Sequence, residues 1–220
     1  MALEFKGVTG KEKVFYLDDV NFKLEPGFLM GIAGKNGAGK TTLLNYMLDK
    51  QKLYSGEILY NDREIHKHHC EFLDQVGFLS DDQIFFKTLT ARQNVELLSG
   101  FYSQWEIERF LNAMRQMNVS PGLHIRNMSK GEFLKFQMAF AMGHKAKLYL
   151  IDEATGGMDL VFRKEFFRLL RELLIDEEVT ILMTTHIEEE LKSQMDYIAI
   201  MENGQMISFH EAIEEESKNG

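Results

Sequence analysis

Apolar runs bounded by glycines and polar residues divide the chain into predicted strands and helices. The segments FLMGIA (28–33), KLYLID (147–152) and VTILMTT (179–185) are apolar without alternation, which is typical of strands buried on both faces of a parallel sheet. The segment TTLLNYMLDK (41–50) instead places its leucines at helical spacing. This pattern predicts an α/β fold in which the second and third strands flank the first.

The middle of the chain has a different character. Residues 89–119 are rich in helix formers and predict two helices in a lobe of their own. Thr90 with Gln93, and Ser103 with Glu106, have the spacing of a capping box, in which two side chains satisfy the first amides of a helix. We therefore expect one helix to begin after Thr90 and the next after Ser103.

The last part of the sequence predicts a hairpin. In YIAIMENGQMISF (197–209), Asn203 and Gly204 separate two apolar runs. Because Asn-Gly tolerates the positive φ angles of a tight two-residue turn, an antiparallel strand is expected on each side of it.

Length and charge narrow the class of protein. The chain has 220 residues, 45% of them hydrophobic, and a formal net charge of -9. This length supports one sizeable core, and the negative charge argues against non-specific binding to nucleic acid. The single cysteine, Cys70, excludes an internal disulfide, and the start MALEFKGV lacks the features of a secretory signal peptide. We expect a cytoplasmic protein without a membrane span, so that any role at a membrane requires a partner.

A glycine-rich loop follows the first predicted strand. GIAGKNGAGKTT (31–42) places Gly34, Gly39, Lys40 and Thr41 in the phosphate-binding pattern that joins a strand to a helix. Lys40 is expected to reach the β- and γ-phosphates of a nucleoside triphosphate, and the Thr41 hydroxyl to ligate magnesium. The residues predicted to hold the nucleotide here are Asn36, Gly37, Ala38, Gly39, Lys40, Thr41 and Thr42.

Two adjacent carboxylates stand at the end of the second predicted strand. In KLYLIDEATGGMD (147–159), Asp152 is placed to hold magnesium through its water shell, and Glu153 to orient and deprotonate the attacking water. A glutamate directly after the aspartate favours hydrolysis over transfer to a bound acceptor. The sequence has no Asn-Lys-x-Asp stretch for base recognition, which argues against a GTPase.

A second helix start also has the features of an anion site. In NMSKGEFLKFQMAFAM (127–142), Ser129 and Gly131 stand where a long amphipathic helix begins. A hydroxyl, free backbone amides and the positive end of the helix dipole together suit a phosphate. The chain therefore carries two predicted phosphate-binding helix ends.

Taken in order, these motifs resemble the nucleotide-binding domain of ABC transporters. GKNGAGKTT corresponds to the Walker A motif, MSKGE to the signature, YLIDE to Walker B, ATGGMD to the D-loop and TTH to the switch histidine. The resemblance covers nearly the whole chain. It implies a single ABC-type ATP-binding domain over residues 1–220, made of a P-loop NTPase core with a mostly parallel sheet, an antiparallel β subdomain and an α-helical lobe at about 84–145.

The resemblance also implies roles for individual residues. Glu153 would be the catalytic base, and His186 would contact the γ-phosphate and sense its loss. Ser129 and Gly131 would close over ATP held by the P-loop of another copy, and Asp159 would reach across that dimer. ATP and Mg²⁺ are the implied cofactors, and an ATP-dependent homodimer, or heterodimer with another ATPase subunit, is the implied assembly.

The sequence departs from the family pattern at two places. The signature has Lys130 and Glu132 where a glycine and a glutamine are usual, which adds a cation that could aid phosphate binding and an anion beside it. In the Q-loop, Asp81 stands where a magnesium-sensing glutamine normally lies, with Gln83 two residues further on. We favour Asp81, because matching without gaps puts it at the glutamine position. An aspartate there would still reach the metal through water.

Two further stretches leave alternatives open. VTGKEKVFYLDDV (8–20) is shorter than usual in the family and offers Phe15 or Tyr16 as the residue that stacks on adenine. IHKHHC (65–70) places histidines and a cysteine at helical spacing, but no second ligand pair lies nearby in sequence. We therefore expect a surface connection there and no metal site.

Aromatic residues in the predicted lobe suggest a docking surface. A small two-helix lobe can bury only part of such a surface in its own core. In the family, a groove near the Q-loop receives a short cytoplasmic helix of the membrane subunit, so some of these side chains are expected to be exposed there. The aromatic residues in question are Phe85, Phe86, Phe101, Tyr102 and Trp105.

Two functions fit the motifs. The first is an ATP-binding and ATP-hydrolysing subunit that powers an ABC transporter through a transmembrane permease subunit, on the inner face of the cell membrane. Export is favoured by analogy, because the brief length and the Ser-Lys-Gly signature resemble small bacterial exporter ATPases. The alternative is a soluble ABC ATPase that acts in protein or iron–sulfur cluster assembly.

Overall fold

A computed structural model describes residues 2–10, 16–49, 51, 53–81, 85–175, 178–186 and 194–212. The strands are β1 (Leu3–Gly10), β2 (Val20–Leu24), β3 (Leu29–Ala33), β4 (Tyr54–Tyr60), β5 (Arg63–Glu64), β6 (Val76–Ser80), β7 (Leu148–Asp152), β8 (Thr180–Thr185), β9 (Tyr197–Glu202) and β10 (Gln205–Glu211). The helices are α1 (Lys40–Leu48), α2 (His69–Leu73), α3 (Ala91–Leu98), α4 (Ile107–Gln116), α5 (Lys130–Gly143) and α6 (Leu160–Leu173). In these parts of the chain, no helix is long and apolar enough to cross a membrane.

The larger sheet has the strand order β10-β9-β3-β8-β7-β6, and only the β10-β9 pair is antiparallel. Every residue of β3 and β8 is buried, as expected for strands covered on both faces. The predicted neighbours of β3 are partly wrong. β8 lies beside it, but β9 occupies its other side, and β7 lies one strand further out.

A smaller antiparallel sheet has the order β2-β1-β4-β5. β2 alternates buried and exposed residues, with Val20, Phe22 and Leu24 on the buried face. These side chains share an apolar core with Leu43 and Met47 of α1. The antiparallel sheet therefore packs over the helix that follows the glycine-rich loop, and the α/β class with an antiparallel subdomain is confirmed.

The helical lobe contains α3, α4 and α5. The capping box of Thr90 is confirmed, since its hydroxyl oxygen accepts from the Gln93 N–H at 3.2 Å and the Gln93 side chain accepts from the Thr90 N–H at 2.9 Å. The second predicted box is wrong. Ser103 donates its N–H and hydroxyl to the carboxylate of Asp74, a charged and therefore stronger acceptor, and α4 begins later with Glu106 as its N-cap.

The predicted hairpin is confirmed and lies against the glycine-rich loop. Asn203 and Gly204 have φ angles of 49° and 85°, as a tight turn between β9 and β10 requires. The Gly204 N–H donates to the Ala38 carbonyl at 2.9 Å, and the Gly204 carbonyl accepts from the Asp18 N–H at 2.9 Å. The turn thus joins the loop to the segment that precedes β2.

The histidine-rich stretch supports α1 and holds no metal-like cluster. The Nε2 atoms of His66 and His69 hydrogen-bond the carbonyls of Tyr46 and Met47, at 2.8 and 3.2 Å, in the last turn of α1. The last carbonyls of a helix take their hydrogen bonds from outside it, and here the two imidazoles supply them. Among the residues that the structure describes, no group of His, Cys, Asp and Glu side chains is suited to a metal ion.

Candidate functional site

The glycine-rich loop connects the buried strand β3 to the start of α1. Gly37 and Gly39 have φ angles of 81° and 111°, a region that side chains with a Cβ rarely adopt. A Cβ on Gly34 would lie 2.4 Å from the Met201 carbonyl oxygen. The glycines therefore let the backbone turn tightly beside β9, and they aim the first amides of α1 at the space in front of the loop.

Lys40 is a buried cation at the centre of this loop. Lys40 is only 4% exposed. Its Nζ donates to the carbonyls of Gly34 at 2.7 Å and Lys35 at 3.3 Å. The same Nζ lies 2.9 Å from Oε1 of Glu153. A buried charge needs such partners, and here they are oxygen atoms of the kind that a phosphate also offers.

The two predicted carboxylates lie at the end of β7 and are held by β8. Asp152 pairs in register with Thr184, whose hydroxyl donates to Asp152 Oδ1 at 2.6 Å. The Glu153 N–H donates to the Thr184 carbonyl at 3.2 Å and to its hydroxyl oxygen at 3.1 Å. Glu153 has a φ of 46°, so the chain turns sharply there and directs this carboxylate toward Lys40.

Thr184 is a site residue that the sequence analysis missed. It is fully buried, within a strand that was interpreted only as an apolar run. The available signal was its hydroxyl, since a polar side chain in a buried strand needs a partner.

His186 follows β8 directly and completes the group around Glu153. Its Nδ1 lies 3.9 Å from Glu153 Oε2. A Cβ on Gly156 would lie 3.3 Å from the imidazole Cε1, so the turn after Glu153 packs against the ring. The structure therefore brings together three predicted catalytic residues, Lys40, Glu153 and His186.

The start of α5 forms a separate polar group. Ser129 caps this helix: its hydroxyl oxygen accepts from the Glu132 N–H at 3.3 Å, and Glu132 Oε2 accepts from the Ser129 N–H at 2.9 Å and its hydroxyl at 2.7 Å. The hydrogen bond from the Ser129 backbone, with that of its hydroxyl, lowers the pKa of Glu132. A Cβ on Gly131 would lie 2.6 Å from the Phe162 ring, so any side chain there would displace that ring where α5 meets α6.

Asp159 lies at the start of α6, where its Oδ1 accepts from the Phe162 N–H at 2.9 Å. Within the described residues, neither Ser129 nor Asp159 hydrogen-bonds Lys40 or Glu153. The predicted site residues thus divide into two groups on one chain, one at the glycine-rich loop and one at the starts of α5 and α6.

Asp81 follows β6 and is paired with a residue of the second group. Ser80, directly before it, lies in register with Asp152, but the Asp81 carboxylate is turned toward Lys130, whose Nζ lies 2.5 Å from Oδ2. The prediction that Asp81 reaches a metal through water remains a prediction. The alternative, Gln83, lies outside the described residues.

Of the two aromatic residues predicted for adenine, Phe15 lies outside the described residues. Tyr16 is 54% exposed. A Cβ on Gly204 would lie 2.2 Å from the Tyr16 carbonyl oxygen, and Gly204 is hydrogen-bonded to Ala38 of the glycine-rich loop. The hairpin turn at Gly204 therefore lies between the Tyr16 backbone and the glycine-rich loop.

The five aromatic residues of the lobe divide between its core and its surface. Phe85 is buried and packs edge-on against Phe136 at 4.7 Å between ring centroids, whereas Phe86 and Phe101 are exposed, Phe101 by 82%. Trp105 packs against the core. A groove of about 520 Å³ runs between the lobe and the sheet core, and it is lined by Asn45, Leu48, Leu73, Val76, Gly77, Phe78, Phe85, Leu98, Phe101, Tyr102, Gln137, Phe140, Ala141 and His144.

The fold and the loop define a P-loop NTPase with an antiparallel subdomain and a helical lobe. Residues 17–156 match the family model described as ABC transporter. The chain is 30% identical over 202 residues to the lipoprotein-releasing system ATP-binding protein LolD of Rickettsia bellii, which covers 89% of this chain and 90% of that protein. The chain therefore belongs to the ABC transporter family of ATP-binding proteins, which bind and hydrolyse ATP.

Other comparisons agree on the family and on the fold. The bacitracin transport ATP-binding protein BcrA of Bacillus licheniformis is 28% identical over 194 residues, which are 87% of this chain and 63% of that relative, so the chain spans less than two thirds of its length. A solved ATP-binding subunit of an ABC transporter superposes with a TM-score of 0.85 at 22% identity, covering 96% of this chain and 90% of the other.

Proposed function

We propose that residues 1–220 form one ATP-binding domain that powers an ABC transporter through ATP-driven dimerisation. The observation that carries this proposal is the group of Lys40, Glu153 and His186 at the glycine-rich loop. A second helix start, at Ser129, makes no hydrogen bond to Lys40 or Glu153 within the described residues. Two half-sites on one chain are completed when two chains face each other with ATP between them. The assembly would be a homodimer, or a heterodimer with another ATPase subunit.

In the first half-site, the amides of residues 36–42 and the Lys40 ammonium would hold the phosphates of ATP. Tyr16 is favoured for stacking on adenine, because its backbone adjoins the turn that contacts the loop. A divalent cation fits the donors available: Asp152 offers a carboxylate oxygen fixed by Thr184, and Thr41 an exposed hydroxyl on α1, and Mg²⁺ prefers oxygen ligands. When bound, Mg²⁺ would neutralise charge on the phosphates.

Glu153 would accept a proton from the attacking water, and His186 would contact the γ-phosphate. Glu153 lies on a sharp turn of the chain and close to His186. Small movements of this turn would therefore change the distance from its carboxylate to the water. In the second half-site, the start of α5 with Ser129 and Gly131 would close over the partner's ATP, and Asp159 would approach the partner's loop.

The Glu153→Gln variant tests this mechanism. A positioned base contributes roughly 10²- to 10⁴-fold, so this variant should bind ATP with near-normal affinity and hydrolyse it slower by that factor. With ATP and Mg²⁺ it should elute in size exclusion at twice the monomer mass, and adding Ser129→Arg should abolish that shift by blocking the second half-site. Near-normal turnover would remove Glu153 from the role of base, and a variant that stays monomeric at high concentration would contradict a homodimer.

The groove between the lobe and the sheet core supports a permease partner. It is apolar, it contains the exposed Phe101, and it lies beside β6, whose end carries Asp81. We propose that it receives a cytoplasmic segment of a transmembrane permease, which would place the protein on the inner face of the cell membrane. Export remains the favoured direction. Two relatives are a bacitracin transport protein and a lipoprotein-releasing protein, although methionine import proteins are similar too.

The partner is tested by co-expressing the chain with a polytopic membrane protein from a neighbouring gene and measuring whether the two co-purify. Phe101→Asp should abolish co-purification while ATP hydrolysis by the isolated subunit is retained, because this side chain makes little contact within its own chain. Ile175→Asp is the matched control, since Ile175 is 80% exposed and does not line the groove. If both variants co-purify equally well with the membrane protein, the groove is not the docking site.

A further inference from the structure

Lys130 joins three segments of the chain. Its Nζ lies 2.5 Å from Oδ2 of Asp81 and donates to the carbonyl of Gly156 at 2.7 Å. Asp81 follows β6, Lys130 begins α5, and Gly156 lies in the turn between Glu153 and α6. We call this arrangement of Lys130, Asp81 and Gly156 the Lys130 latch.

Buried hydrogen bonds hold the backbone next to the latch. The buried Gln137 of α5 accepts from the Ser80 N–H at 3.1 Å and donates to the Ser80 carbonyl at 2.9 Å. The backbone directly before Asp81 is therefore fixed to the same helix that carries Lys130. At its other end, Gly156 packs against His186, so the latch connects the lobe to the turn beside the proposed catalytic group.

The position of Lys130 makes its partner exchangeable. A cation at a helix start is opposed by the positive end of the helix dipole, whereas an anion there is stabilised. The Asp81 carboxylate supplies that anion, but the pair is surface-exposed, with 39% of the Lys130 side chain and 61% of the Asp81 side chain accessible. Exposed pairs are weak, and a phosphate carries more negative charge than one carboxylate.

We propose that Asp81 and the ATP phosphates of the partner copy compete for Lys130, so that Asp81 opposes ATP-driven dimerisation and Lys130 promotes it. This inference rests on the proposed dimer, in which the start of α5 faces the ATP held by a second copy. In this scheme Lys130 is a nucleotide-binding residue, and Asp81 acts only through it. Its release from Asp81 and Gly156 would also free the turn beside His186 when the dimer closes.

The competition predicts opposite effects for the two side chains. In the Glu153→Gln background, Asp81→Asn should lower the ATP concentration that gives half-maximal dimer by about two- to fivefold for each latch, the effect of removing one exposed pair. Lys130→Met should raise that concentration, and Asp81→Asn should have no further effect once Lys130→Met is present. If the pair were purely structural, both single variants would raise the ATP concentration needed for half-maximal dimer. If Asp81 instead binds metal, Asp81→Asn alone would raise that concentration.

A second measurement reads the latch without a dimer. In protein without nucleotide, acylation of the Lys130 amine, followed by mass spectrometry, should become about two- to fivefold faster in Asp81→Asn, because pairing shields the amine. Lys164, an exposed residue of α6, is the control whose rate should not change. An unchanged Lys130 rate overturns the latch. If Lys130 acylation is faster but the Glu153→Gln protein never dimerises, the competition fails because the proposed dimer fails. If the dimer forms but Asp81→Asn raises the ATP concentration needed for it, the competition is wrong and the dimer stands.

Discussion

Replacing Thr184 by valine tests whether β8 positions the two carboxylates. Valine keeps the shape of threonine and its fit in a buried strand, but it removes the hydroxyl that donates to Asp152 at 2.6 Å and accepts from the Glu153 N–H at 3.1 Å. The Glu153 N–H keeps its bond to the Thr184 carbonyl. The main loss is therefore one partly buried hydrogen bond to a carboxylate oxygen.

Such a bond is worth about 1.5–3 kcal/mol. For a domain of this length, that loss lowers the melting temperature by about 3–12 °C. Because Asp152 would no longer be oriented, ATP turnover should fall about 10- to 100-fold and require more Mg²⁺, as is typical when a residue behind a metal ligand is removed.

Thermal unfolding and ATPase assays over a Mg²⁺ titration check both effects. The matched control is Thr184→Ser, which keeps the hydroxyl and should retain most of the activity. The reasoning is refuted if Thr184→Val has normal turnover and normal Mg²⁺ dependence, or if Thr184→Ser is as impaired as Thr184→Val.

Two further predictions concern the glycine-rich loop and a buried histidine. Gly34→Ala should abolish ATP binding measured by calorimetry, because its Cβ would lie 2.4 Å from the Met201 carbonyl. In Gly37→Ala the new Cβ meets nothing within 4 Å, so this variant should lose only about 1 kcal/mol of stability through its positive φ. Burial lowers the pKa of His144 from 6.5 to about 4, so the unfolded chain binds the extra proton between these values. The unfolding free energy should then fall by up to about 3 kcal/mol as the pH drops from 6.5 to 4. In His144→Phe, the denaturant concentration at the unfolding midpoint should depend less on pH over that range.

Local features were predictable because their causes lie within a few residues. The strand before Lys40, the Thr90 capping box and the Asn203-Gly204 turn each depend on neighbours in sequence, and the structure has all three. The failures depend on distant parts of the chain. Ser103 was lost as a cap because Asp74, 29 residues earlier, offers a charged acceptor, and nothing in the local pattern shows that the two residues meet.

The candidate site shows the same division. Residue types and motif order identified Lys40, Glu153 and His186, which the fold brings together. Thr184 was missed because the apolar pattern of β8 hides one hydroxyl whose partner comes from the adjacent strand. The pairing of Asp81 with Lys130 spans 49 residues, so it follows from how β6 and α5 pack and not from any spacing in the sequence.

The two ion pairs suggest how ATP binding organises this enzyme. Lys40 holds the proposed base Glu153 at 2.9 Å, and Lys130 holds Asp81 at 2.5 Å; each cation lies at the start of a helix where a phosphate is expected. If phosphates take both lysines, both carboxylates are released together, Glu153 toward water and Asp81 away from α5. A ligand shifts a conformational equilibrium only through interactions that differ between the states, and these exchanges provide two such differences. In this scheme hydrolysis, which removes the γ-phosphate, would return both lysines to their carboxylates and so favour opening of the dimer.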